Sequence, residues 1–189
     1  MKIDDSWTLF LDRDGVINQR IRGNYVKVED EFIFNPHVLE AMALLSQLFS
    51  RIIVVTNQQG VGLELMTQAQ LDQVHDYMCN KVQDGFGRID LVLAATEIKG
   101  QHPHHRKPSP VMGHLAKEHF PDIDFERSIM VGDSESDMLF GKKLLMKTVL
   151  IKGKEDEEPQ LKHIACDYRF SSLYDFAKWL DNENATFWS

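Results

Sequence analysis

Apolar residues fall into short, nearly continuous runs, separated by longer stretches in which they recur every three or four positions. The runs Trp7–Leu11, Ile52–Thr56, Ile89–Ala95, Ser128–Gly132 and Thr148–Ile151 are rich in Val, Ile, Leu or Phe and predict strands covered on both faces. Between them, Pro36–Ser50 sets Val38, Ala41, Leu44, Leu45 and Leu48 on one helical face, and Thr67–Gln83, Pro110–His119 and Ser134–Leu145 are predicted as further helices. Such alternation predicts an α/β fold, a Rossmann-like parallel sheet with helices on both faces. Asn35 before Pro36, Thr67, Ser109 before Pro110, and Ser134 are the expected helix starts. A possible edge strand at Tyr168–Phe170 and a closing helix over Ser171–Leu180 make a C-terminal unit at 168–181, and Lys152–Gln160 is expected to be a solvated loop. With no internal repeat, low-complexity tract or linker, the expectation is a single domain over 1–189, whose least regular segment is 18–35.

Composition narrows the functional classes. A chain of 189 residues, 43% hydrophobic, can bury one sizeable core. Its net charge of −8 opposes nucleic acid and anionic membrane surfaces, so an anionic ligand would need local positive charge. The N-terminal MKIDDSWTLF places two acids where a signal peptide is apolar, and no apolar run approaches the ~20 residues of a membrane span. These features predict a cytoplasmic protein without membrane or nucleic-acid partners, expected to be monomeric. Cys79 and Cys166 are expected to fill space rather than form a disulfide.

In parallel sheets the ligand site lies beyond the carboxyl ends of the strands. The first predicted strand runs into Asp12 and Asp14 in FLDRDGVIN, and the second ends in Thr56-Asn57. Arg106-Lys107-Pro108 follow the third, while Asp133 and then Asp137 follow the fourth. Carboxylates so gathered repel unless a proton or cation intervenes, and their hard oxygens suit Mg²⁺ with phosphate as a further ligand. An aspartate held by metal can attack phosphorus, a second acid can protonate the departing oxygen, and Lys107 with Thr56 can hold the phosphoryl oxygens. Gly15 allows the sharp turn that brings backbone N–H groups near a phosphate.

FLDRDGVIN resembles motif I of the haloacid dehalogenase superfamily, and VVTNQ, RKPSP and VGDSESD resemble its other three motifs in order, over about residues 7–151. The resemblance implies a Mg²⁺-dependent phosphomonoesterase in which Asp12 is the nucleophile, Asp14 the general acid/base, Thr56 the phosphate-binding hydroxyl and Lys107 the charge clamp. It implies magnesium held by Asp12, the Asp14 carbonyl and Asp133, with Asp137 in the outer part of that site. The phrases DRDGVIN, Tyr25-Val26, TNQQGVG and Met66-Thr67 are closest to a small-capped subgroup containing histidinol-phosphate and heptose 1,7-bisphosphate phosphatases. That subgroup lacks a large cap domain, so 18–35 becomes a short flap. Gly15, Asn18, Arg22, Asn57 and Arg106 are then the candidate contacts to a small phosphate ester.

The chain departs from that subgroup before RKP, where ATEIKGQHPHHRKP stands in place of a loop with three Cys and one His. Crowded His102, His104 and His105 without cysteine do not suit a tetrahedral structural zinc. The departure leaves the substrate open. Sugar phosphates lead, with heptose 1,7-bisphosphate first; histidinol phosphate is the alternative and a polynucleotide 3′ phosphate a weaker one. A receiver-type signalling domain shares clustered acids, a Thr and a Lys, but carries its phosphoaccepting Asp after a middle strand without an acid two residues on. His75 and His114 are expected to be structural, and no partner is assigned to Trp179, Phe187 and Trp188.

Overall fold

A computed structural model describes residues 1–21, 23–100, 105–152 and 162–185. Arg22, His102, His104, Phe187, Trp188 and all of the expected loop after Lys152 lie outside the described residues.

In chain order the regular elements are β1 (Thr8–Leu11), α1 (Val38–Leu48), β2 (Arg51–Asn57), α2 (Gln68–Asp84), β3 (Leu91–Ala95), α3 (Val111–His119), β4 (Ser128–Gly132), α4 (Glu135–Lys143), β5 (Lys147–Ile151), β6 (Tyr168–Phe170) and α5 (Leu173–Ala185). The six strands form one sheet in the order β3-β2-β1-β4-β5-β6, and every pairing is parallel. Successive residues alternate between two cores, as a pleat of period two requires. Leu9, Leu11, Ile52, Val54, Ile129 and Val131 pack with α1, α2 and α5 residues such as Ala41, Val74 and Phe176. Phe10, Ile53, Val55 and Met130 pack on the opposite face with Met112 and Ala116 of α3 and Phe140 of α4. This double coverage explains why the strands read as unbroken apolar runs.

Two of the four expected helix starts take the capping role. The Thr67 hydroxyl accepts from Gln70 N at 3.1 Å while Gln70 Oε1 accepts from Thr67 N at 2.8 Å, and Asp137 Oδ2 accepts from Ser134 N at 3.1 Å. The other two are corrected. The residue capping α3 is Pro110, and that capping α1 is His37, which sits in the left-handed region at φ 58°. Asn35 instead donates through Nδ2 to the carbonyls of Gly15 at 3.1 Å and Val16 at 3.0 Å. Helix α5 also runs beyond Leu180, where its apolar period ends, because the N-terminal arm ties its last turn down. The Met1 ammonium pairs with Glu183 Oε2 at 2.8 Å and Asn184 Oδ1 accepts from Ile3 N at 3.1 Å.

The flap is closed at its base by backbone bonds from Gln19 N to Ile33 O at 2.8 Å and from Asn35 N to Ile17 O at 2.9 Å. Val26 and Phe32 bury into the main core, and Phe32 and Phe34 meet Tyr77 of α2. Tyr25 lies so close over Gly60 that a Cβ there would stand 2.8 Å from the ring. Apart from the 3₁₀ turn Glu29–Glu31, the described residues between β1 and α1, and between β2 and α2, contain no helix or named strand.

Candidate active site

Strands β1 and β4 are neighbours, although β1 leads on to β2 on one side and β4 to β5 on the other; this reversal opens a crevice at their carboxyl ends. Asp12 extends β1 by donating its N–H to Val131 O at 2.9 Å, and Asp133 directly follows β4. Both are buried, as is Asp137 in the first turn of α4. One carboxylate oxygen from each lies within 4.8 Å of the other two. Gly15, at φ 101°, makes this convergence possible, because any Cβ there would run into Asp133 Oδ2.

A buried counter-charge between Asp12 and Asp137 is Lys107. Its Nζ donates to Asp12 Oδ1 at 2.7 Å and to Val55 O at 2.6 Å, and it pairs by charge with Asp137 Oδ1 at 2.6 Å. Asn57 fixes the loop that carries it: Oδ1 accepts from Lys107 N at 2.8 Å and Nδ2 donates to Lys107 O at 3.3 Å. Burial would discharge the lysine, but Asp12 and Asp137 outweigh it and hold its pKa above the ordinary value. Burial is also the main reason Asp12 is pushed up to about 6, against the pull of Lys107 and with a further push from Asp137. Asp133 is raised by burial and then by Asp12.

Asp14 is held differently. Arg13 Nη2 reaches both its oxygens at 2.9 Å, Asn18 Nδ2 donates to Oδ1 at 2.9 Å and Gln58 Nε2 to Oδ2 at 2.6 Å. Burial alone would raise its pKa, but Arg13 and these donors lower it below the usual carboxylate value. Gln58 also donates to Thr56 Oγ1 at 2.8 Å, which fixes the hydroxyl at the end of β2.

A cavity of about 420 Å³ opens over these groups, lined among others by Asp12, Asp14, Arg20, Asn57, Arg106 and Lys107. Of the expected ligand contacts, Arg106 and Asn57 therefore face it. Gly15 shapes the floor through Asp133, and Asn18, with no exposed surface, orients Asp14 rather than meeting a ligand. The flap contributes Arg20, whose Nη2 lies 2.7 Å from Asp133 Oδ1 and 3.2 Å from the Asp14 carbonyl. His105 pairs through Nδ1 with Glu97 Oε1.

Sequence reading missed Arg13, Arg20 and Gln58. Gln58 stood inside the VVTNQ phrase and Arg13 inside DRDG, so position relative to the motifs was the available signal for both. Among the described residues, Asp12, Asp133 and Asp137 are the group suited to a metal ion. Three buried hard oxygen donors, and a glycine that lets Asp133 close in, fit a small divalent cation.

The profile of the HAD-hydrolase-like family matches residues 104–176. The chain is 33% identical to the D-glycero-D-manno-heptose-1,7-bisphosphate 7-phosphatase of Chlorobaculum tepidum, over 82% of this chain and 83% of that one. It is 37% identical to the D-glycero-alpha-D-manno-heptose-1,7-bisphosphate 7-phosphatase of Mycobacterium tuberculosis, over 70% of each. The structure is similar to the crystal structure of D,D-heptose 1,7-bisphosphate phosphatase from B. bronchiseptica complexed with magnesium and phosphate, with a TM-score of 0.85, 27% identity, and coverage of 94% of this chain and 99% of that one. Among the described residues, no helix is long and apolar enough to cross a membrane.

Proposed function

We propose, from the premise that this chain belongs to the haloacid dehalogenase superfamily and is a phosphatase of it, that it hydrolyses a sugar phosphate, with heptose 1,7-bisphosphate as the leading substrate. The observation that carries the reading is the convergence of Asp12 and Asp133 from adjacent strands, with Lys107 Nζ 2.7 Å from Asp12. Asp12, the Asp14 carbonyl and Asp133 would hold magnesium, with Asp137 behind them. Bound there, the ion would neutralise the acids and polarise the phosphoryl oxygens.

The chain's own groups supply the remaining chemistry. Asp12 attacks phosphorus in line and becomes the aspartyl-phosphate, while Lys107 and the Thr56 hydroxyl hold phosphoryl oxygens as charge moves onto them. Asp14 takes up a proton from solvent as the anionic ester binds beside it, gives that proton to the departing alkoxide, and then, ionised again, takes one from the water that releases phosphate. The ionised Asp14 favoured by Arg13, Asn18 and Gln58 is the form the second half-reaction uses. The flap, Arg106 and Asn57 border the space left for the leaving group, which suits a small polar ester. The proposal extends to one domain over 1–189 that works as a cytoplasmic monomer.

Phosphate release from heptose 1,7-bisphosphate, histidinol phosphate, hexose phosphates and nucleotides, with and without Mg²⁺, tests this reading. Magnesium-dependent turnover led by the heptose bisphosphate is expected, with Asp12→Asn folded and its activity lowered on the order of 10⁴-fold or more. Near-native activity of that variant would refute the nucleophile assignment.

A further inference from the structure

Among the described residues Arg13 is the largest side chain with no exposed surface, and its guanidinium is engaged on two edges. One edge grips Asp14, through Nη2 to both oxygens at 2.9 Å and Nε to Oδ1 at 3.3 Å. The other edge presents Nη1 to His75 Nε2 at 3.0 Å. A guanidinium can only donate, so Nε2 must be the imidazole's lone-pair nitrogen and its ring proton must sit on Nδ1. Burial first and the Arg13 charge second push the His75 pKa down to about 3, which keeps the ring in this neutral, accepting form at neutral pH.

His75 is mounted on a firm element. It lies on the buried face of α2 between Val74 and Met78, both fully buried, and that helix begins at the Thr67–Gln70 capping box. On the flap side, Phe32 stands with its ring centroid 5.9 Å from the Arg13 guanidinium carbon. The planar guanidinium is thus set by His75 at one end and presents a fixed fork to Asp14 at the other.

We propose that His75 is a positioning residue for the phosphatase reaction: by accepting from Arg13 it fixes the guanidinium plane, and that plane aims the Asp14 carboxylate at the leaving oxygen. This rests on the reading above that Asp14 protonates the leaving group. Without the imidazole acceptor the guanidinium can turn about its own axis, and the fork that fixes the carboxylate turns with it. A misplacement of about 1 Å at a proton-transferring group costs on the order of 10²-fold in rate.

The test is kcat/KM in saturating Mg²⁺ for phosphate monoesters graded from p-nitrophenyl phosphate to alkyl phosphates. This constant reports steps up to cleavage of the ester bond, and a nitrophenolate departs without needing a proton whereas an alkoxide does not. His75→Met should lower alkyl ester hydrolysis on the order of 10²-fold, carried by kcat rather than KM, while p-nitrophenyl phosphate hydrolysis stays within about threefold. His75→Gln, whose Oε1 can accept from Arg13, should restore most of the loss. A loss equal on both ester classes, or a Gln variant no better than Met, overturns the proposal. Asp14→Asn serves as the reference. If it lacks the same leaving-group dependence, the acid assignment itself falls; if it shows the dependence and His75→Met does not, only the His75 role falls. Should thermal melts show His75→Met unfolded, Arg13→Lys, which keeps the charge and removes the fork, must show the same dependence, and a flat response overturns the proposal.

Discussion

Arg20 of the flap and Asp133 after β4 stand 2.7 Å apart, and the same guanidinium nitrogen lies 3.2 Å from the carbonyl oxygen of Asp14. Asp133 and the Asp14 carbonyl are two of the groups the family resemblance gives to magnesium, so Arg20 and a divalent cation compete for them. Nearly half of the Arg20 side chain is exposed, which gives it room to swing away. Arg20→Met should therefore bind Mn²⁺ about tenfold more tightly in a titration followed by electron paramagnetic resonance without substrate, since a competing conformation multiplies the apparent affinity by the competent fraction. Equal or weaker binding would show that Arg20 does not oppose the metal.

The raised pKa of Asp12 gives the metal-free protein an acidic stability profile with a definite sign. The unfolded carboxyl loses its proton near 3.8 and the folded one near 6, so between these values the folded state binds more protons. Stability contributed in this way is present below about pH 4 and is lost as the pH rises through 6, by about 3 kcal/mol. Asp133 pushes in the same direction. Asp14, whose pKa is lowered, works oppositely and costs stability only as the pH falls below its unfolded value. Urea denaturation across this range, with chelator and then with excess Mg²⁺, should show the decline in the first series and its suppression in the second.

Removing the Lys107 charge leaves Asp12 and Asp137 buried with no ammonium between them. Lys107→Met is expected to lose roughly 3 kcal/mol of metal-free stability and on the order of 10²-fold or more in kcat. Denaturation midpoints and steady-state kinetics check the two effects separately. Lys107→Arg should not rescue turnover, since a bulkier planar guanidinium cannot set one compact charge against Asp12, Asp137 and the Val55 carbonyl together.

Asn35→Ala removes the Nδ2 donor to the Gly15 and Val16 carbonyls at the base of the flap. A loss of about 1–3 kcal/mol is expected from leaving those groups without their partner. Hydrogen exchange should locate it: the Gln19 amide, bonded to Ile33 O across the flap base, should lose protection before the amides of β1 do.

Much of the frame was legible because burial on both faces writes itself into sequence as apolar runs; β4 and β6 were predicted to the residue. The four motifs then located Asp12, Asp14, Asp133, Asp137 and Lys107 at one rim, since each follows a strand whose end the sheet aligns. What escaped depends on tertiary partners that have no periodic signature. An asparagine before proline reads as a helix cap, yet Asn35 found two carbonyls in the turn after motif I. The flap has no regular period, so nothing in its spacing distinguished Arg20 as the arginine that faces the acids. His75 sits on the apolar stripe of α2 and reads as core; its bond to Arg13 joins residues 62 positions apart. Asn18 reads as a ligand contact beside the open mouth but is occupied with Asp14 and Gln19, whereas Asn57 lines the cavity as expected and also spends its amide on the Lys107 backbone.

The side-by-side placement of β1 and β4 also bears on biosynthesis. Asp12, the proposed nucleophile, follows β1, yet the neighbouring strand β4 is translated only after β2, β3 and their helices. Until that late strand docks, Asp12 has neither Asp133 beside it nor a closed crevice around it. A nascent or C-terminally clipped chain ending before β4 would lack Asp133 and Asp137, so the acid cluster is assembled only once that central strand and the turn after it are in place.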